Sequence, residues 1–67
     1  MLQDDFPRLI RAARKKRKLT MIAIAEKTGI LSPIYRLIEK GKIFPDQEKF
    51  VILCDFFEFD MQYSDYS

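Results

Sequence analysis

The chain has 67 residues, a net charge of +2, one cysteine and no histidine, and these few facts exclude a good deal. So short a chain buries only about 60% of the surface it exposes when unfolded, so its core needs help. A lone cysteine rules out an intrachain disulfide, and without histidine the common zinc-ligand sets are out of reach. Association with a second copy is the remaining aid, and a homodimer is expected.

No apolar run is long enough to span a bilayer, and the start, MLQDDFPRL, lacks the apolar core of a signal peptide. With a single thiol, this predicts a cytoplasmic protein with no membrane partner. The charge is unevenly placed. Residues 1–45 carry eleven Lys/Arg against four Asp/Glu, or +7, whereas residues 46–67 carry one against six, or −5. A basic face attracts a polyanion that an acidic one repels, so the C-terminal part is expected to face away from it.

Along the chain the periodicity is helical. Phe6, Leu9, Ile10 and Ala13 recur on one helix face, with Arg8, Arg11, Arg14, Lys15 and Lys16 mostly off it, which predicts a first helix over roughly 5–17. Asp4 and Asp5 are acidic N-terminal signals, and Pro7 suits a first turn. Thr20 reads as the cap of a second helix, Met21 to Lys27, with Ile24 and Ala25 inward and Gly29 as the exit. Ser32-Pro33 reads as N-cap and first residue of a third helix, which Gly41 stops. Its apolar stripe, Leu31, Ile34, Tyr35 and Ile38, fits both a wholly buried face and a partly exposed patch.

Pro45-Asp46 opens a fourth helix with Phe50, Leu53, Cys54 and Phe57 on its inner face. Val51, Ile52 and Phe56 are surplus to that face, Phe59 follows nearby, and Tyr63 and Tyr66 lie in an acidic, aromatic tail over 61–67. With no strand alternation, the expectation is one all-α domain of four to five short helices, its core spanning about 6–60.

The residues Ala25-x3-Gly29-Ile30, Tyr35, Ile38-Glu39-x-Gly41 and Pro45 share a joint spacing. It extends back to Leu19-Thr20 and on through Phe50, Leu53, Cys54, Phe57 and Phe59. It resembles the lambda-repressor/Cro-like (XRE-type) helix-turn-helix family. The resemblance implies double-stranded DNA as partner, with the third helix in the major groove. Carried over, the DNA-binding positions are Met21, Leu31, Ser32, Pro33, Ile34, Arg36 and Leu37, with Lys40 and Lys42 at the following loop. Relatives often place glutamine at the positions of Met21, Ser32 and Pro33, where an amide pairs with adenine. This chain does not.

Arg36 is left as the main polar reader, while Ser32 is expected to be occupied as a cap. The resemblance also implies a buried pair between Arg14 and Glu39, and a small residue at Cys54. The run Arg14-Lys15-Lys16-Arg17-Lys18 is expected to give auxiliary phosphate contacts through Arg14, Lys15, Arg17 and Lys18. Relatives commonly dimerise after the fourth helix, which makes Val51, Ile52, Phe56, Phe59 and Tyr63 the expected two-fold contact. The functional expectation is a sequence-specific, repressor-like transcriptional regulator. The alternative is a protein-interaction module or antirepressor that docks a protein on an apolar surface of the second and third helices: Met21, Ile22, Leu31, Ile34, Ile43 and Phe44. No nucleophile–base pairing, metal-ligand set or phosphate loop occurs, so neither enzyme activity, cofactor nor metal is expected.

Overall fold

The computed structural model describes residues 2–63, with side chains from residue 5 onward; Tyr66 with the rest of the tail's end, and the side chain of Asp4, lie outside the described residues. Among the described residues there are four helices and no strand: α1 (Leu2–Lys16), α2 (Met21–Thr28), α3 (Ser32–Glu39) and α4 (Gln47–Phe57). α1 starts earlier than its periodicity predicts, which puts Pro7 inside the helix rather than at its first position. Its missing amide hydrogen leaves one carbonyl of the first turn without a helical partner.

The ends of the helices follow local chemistry. The Thr20 hydroxyl accepts from the Ala23 amide at 3.0 Å, and the Asp46 carboxylate accepts from the Lys49 amide at 2.9 Å. At α3 the expectation needs correcting. Leu31 is the capping residue, with no side-chain bond, Ser32 is already helical, and Pro33 follows in the first turn. Proline's fixed φ starts this helix without a capping hydroxyl, so Ser32 does not cap it.

At the other ends, three helices close alike. The Leu19 amide donates to Arg14 O at 3.1 Å, Lys42 to Leu37 O at 2.9 Å, and Phe59 to Cys54 O at 2.8 Å. The residue before each donor is left-handed: Lys18 (φ 57°), Gly41 (φ 76°) and Glu58 (φ 62°). This closure satisfies carbonyls that a helix end would otherwise leave bare. Glycine takes it without steric cost, whereas Lys18 and Glu58 carry a Cβ there.

The core takes Phe6 and Ile10 from α1, Ile24 from α2, Ile30 from the turn, and Tyr35 and Ile38 from α3. Phe50, Leu53, Cys54 and Phe57 of α4 complete it. Leu9, expected on the inner face of α1, lies at its edge and is 38% exposed. Phe50 is the hub: its ring stacks on Phe6 at 4.8 Å, with Phe44 at 6.0 Å and Tyr63 edge-on at 5.5 Å. Phe59 stacks on Phe57 at 5.7 Å, and Phe56 meets Phe57 edge-on at 5.1 Å.

Much of the aromatic surplus expected at a two-fold contact is therefore absorbed within the monomer. Tyr63, Phe59, Phe56 and Ile52 are all half-buried against the core, and Val51 alone of the five is well exposed. Burial pushes the Cys54 thiol above its ordinary value, with Asp55 adding to the effect, which suits a small core residue rather than a nucleophile.

Two measurements of chemical unfolding check this packing. Phe50→Ala is expected to cost about 3–5 kcal/mol and leave the domain largely unfolded, whereas Glu26→Ala on the exposed side of α2 stays within about 0.5 kcal/mol of wild type. Glu58→Gly relieves the left-handed strain and is expected to raise stability by about 0.5–1 kcal/mol, after allowance for the greater freedom of glycine in the unfolded chain.

Candidate nucleic-acid interface

α2 and α3 are joined by a short turn whose geometry the sequence dictates. Gly29 has φ 78° and its amide donates to Ala25 O, so the chain leaves α2 sharply. Ile30, 4% exposed, fills the wedge between the helices, and the small Ala25 is buried where they pack together. α3 buries Tyr35, Ile38 and Glu39. The helical repeat then sets Pro33, Arg36, Leu37 and Lys40 on the outward face, and all four are exposed.

An ion pair fixes that orientation. Arg14 Nε donates to Glu39 Oε2 at 2.9 Å and Nη2 to Oε1 at 2.7 Å, a two-pronged contact, while Nη1 donates to Leu19 O at 3.1 Å. The side chains are only 14% and 5% exposed. Burial pulls the Glu39 carboxyl upward, but the hydrogen bond from Arg14, aided by Tyr35 and Arg11, outweighs it and holds the group below its ordinary value. Burial, reinforced by Glu39, drives the Tyr35 phenol well above its usual range. The Tyr35 hydroxyl is itself buried beside the pair.

These contacts redistribute the expected auxiliary cations. Arg14 is enclosed by Glu39 and the Leu19 carbonyl, so it is a structural residue rather than a free phosphate contact. Arg17 Nη2 donates to Phe57 O at 3.1 Å, and the guanidinium lies 5.5 Å from the Phe57 ring centroid, tying α1 to the end of α4. Lys15 and Lys18 remain exposed, as do Lys40 and Lys42 at the close of α3.

The apolar stripe of α3 divides. Tyr35 and Ile38 are fully buried, Ile34 is half-buried, and Leu31 is 72% exposed. On α2, Ile22 is 64% exposed and Met21 half-buried. The Ser32 hydroxyl is not used as a cap, which adds a second polar group beside Arg36 at the start of α3. A groove of about 530 Å³ runs from Leu31 and Ile34 to Ile43 and Phe44, with Asp46 and Lys49 at its margin.

A second concavity, of about 540 Å³, was not foreseen. Arg8 and Arg11 of α1 face Lys40 and Lys42 across Pro7 and Gly41, with Glu39 among the lining residues. The sequence shows only that Arg8 and Arg11 lie off the apolar face of α1. Nothing in it says that the α3–α4 turn arrives beside them. Among the described residues, no three His, Cys, Asp or Glu side chains converge as a metal-ligand group, and no helix is long and apolar enough to cross a membrane.

A helix anchored by its inner face, presenting an outer face of mixed apolar and cationic groups after a glycine turn, defines a helix-turn-helix domain. The family model described as "Helix-turn-helix domain" matches residues 8–64, and the chain belongs to this family of DNA-binding domains. No curated protein and no solved structure matches it.

The pair gives a pH prediction with a definite sign. Because the folded Glu39 titrates below its unfolded value of about 4.3, its stabilisation is complete above that value and is lost as pH falls through the folded one. Acid unfolding followed by circular dichroism is therefore expected to steepen below about pH 4, and Glu39→Gln to flatten that limb. At neutral pH the same substitution is expected to cost about 2–3 kcal/mol, since glutamine still accepts one bond from the enclosed arginine.

Proposed function

We propose that this helix-turn-helix protein is a sequence-specific transcriptional regulator of the Cro/repressor kind, which lays α3 in the major groove of double-stranded DNA. The observation that carries the reading is the outward face of α3. Arg36, Leu37 and Lys40 are exposed along it, while Glu39 on the inner side is held by Arg14. Arg36 supplies the donors for a guanine edge and the Ser32 hydroxyl a second polar contact, while Leu31 and Ile34 suit thymine methyl groups. Lys40 and Lys42 take backbone phosphates, with Lys15 and Lys18 adding longer-range attraction.

The regulator acts as a symmetric homodimer through the part of α4 the monomer leaves open, chiefly Val51 with the outer edges of Ile52 and Phe56. Two copies of α3 then meet half-sites one helical turn apart, ~34 Å.

A second reading has one specific observation in its favour. Leu31 and Ile22 are 72% and 64% exposed, more than a purely DNA-facing surface requires. In that reading the α2/α3 surface docks a protein through apolar contact, as an antirepressor would.

One set of variants separates them. Fluorescence anisotropy with a duplex selected from random sequence is expected to show Arg36→Ala losing roughly 10- to 100-fold in affinity, about 1–3 kcal/mol. The selected sequence should be palindromic. Ile22→Ser is expected to leave DNA affinity within roughly threefold, in keeping with a surface change. DNA affinity insensitive to Arg36→Ala would favour the protein-docking reading instead.

A further inference from the structure

We propose that the cleft between α1 and the α3–α4 turn is a phosphate-binding site that grips the DNA backbone beyond the end of α3, with Arg8 and Arg11 as its principal ligands. The proposal rests on the groove-docking reading above and extends the interface onto α1 residues that reading does not use.

Four cations, Arg8, Arg11, Lys40 and Lys42, line one concavity, drawn from two segments distant in sequence. Glu39 is the sole carboxylate among the lining residues, and Arg14 already occupies both of its oxygens. Arg8 pairs with Asp5, but their side chains are 78% and 48% exposed, and an exposed pair contributes too little to resist exchange for a phosphate. No ion pair engages Arg11, Lys40 or Lys42 among the described residues. Like charges gathered in a concave surface repel one another until an anion enters, and the low-dielectric walls focus their field outward.

The position suits a backbone phosphate. Lys40 closes the outward row of α3 that begins at Pro33, so the cleft stands seven residues, about 10 Å, from the base-facing start of the helix. That is close to the ~12 Å width of the major groove, so a helix whose first turn meets base edges brings its far end to the phosphates at the groove margin. Arginine's planar fork matches a phosphodiester's oxygens in a bidentate way, which lysine cannot do. The two walls approach each other at Pro7 and Gly41, where a Cβ at Gly41 would stand at ordinary contact distance, 3.6 Å, from Pro7 Cγ. The cleft is thus part of the packing of α1 on the turn rather than a chance approach of mobile side chains.

The test is a salt series from ~50 to ~200 mM, read by anisotropy of a labelled random-sequence duplex with the full chain. Arg11→Gln is compared with Lys16→Gln, which removes the same charge from the exposed end of α1 outside the cleft. Arg8→Gln/Arg11→Gln and Arg11→Lys complete the set, and helical circular dichroism confirms that each variant is folded. The expected result is a greater loss for Arg11→Gln than for Lys16→Gln, partial rescue by Arg11→Lys, and a log–log salt slope shallower by about two in the double variant. If wild type binds but Arg11→Gln and Lys16→Gln behave alike, with the double-variant slope unchanged, the cleft proposal is overturned and the groove-docking reading stands. If wild type fails to bind even at the lowest salt, the groove-docking reading falls and the cleft proposal with it.

Discussion

The contact between Arg14 and Glu39 is the constraint on which the outward face of α3 depends. A carboxylate only 5% exposed cannot be left alone in the core, so α3 can neither rotate nor slide without losing both of its bonds to the guanidinium. Pairs of this kind add little net stability over an apolar replacement, because desolvation offsets most of the attraction. Their effect is positional. Here the position decides which side of an eight-residue helix meets solvent.

The remainder of the fold compensates with aromatic packing and economical helix ends. Phe6, Phe44, Phe50 and Tyr63 form one cluster that joins α1, the α3–α4 turn, α4 and the chain after it. Arg17 closes the far side by bonding the Phe57 carbonyl at the last turn of α4, where a cation also complements the helix dipole. The acidic residues Asp55, Glu58 and Asp60 lie on or just after α4 and are exposed, while the cationic cleft lies between α1 and the α3–α4 turn. The charge asymmetry of the chain is thus carried by different elements of the fold.

Local signals were readable wherever a residue type has one dominant physical use. Thr20, Gly29 and Asp46 mark their helix boundaries because a short acceptor side chain or an absent Cβ has few equivalent alternatives. Lys18 and Glu58 occupy left-handed positions with no such marker, since the closing hydrogen bonds rather than side-chain preference hold them there. Ser32 misled for a related reason: a serine before a proline has the composition of a cap, yet the helix begins one residue earlier. Arg14 carried two readings, charge in a basic run and partner of Glu39, and only the fold could choose between them.

By itself the sequence determined the all-helical class, the α2-turn-α3 unit, most of the core and the segregation of charge. Each follows from periodicity or from short-range chemistry within a few residues. The tertiary structure decided which members of an apolar stripe are buried, leaving Leu31 in solvent while Ile38 is enclosed. It also decided that Phe59 and Tyr63 pack within the monomer, and that Arg8 and Arg11 share a cleft with Lys40 and Lys42. Those outcomes depend on contacts between different elements, some of them about thirty residues apart as in the cleft, which hydrophobic spacing along one helix cannot encode.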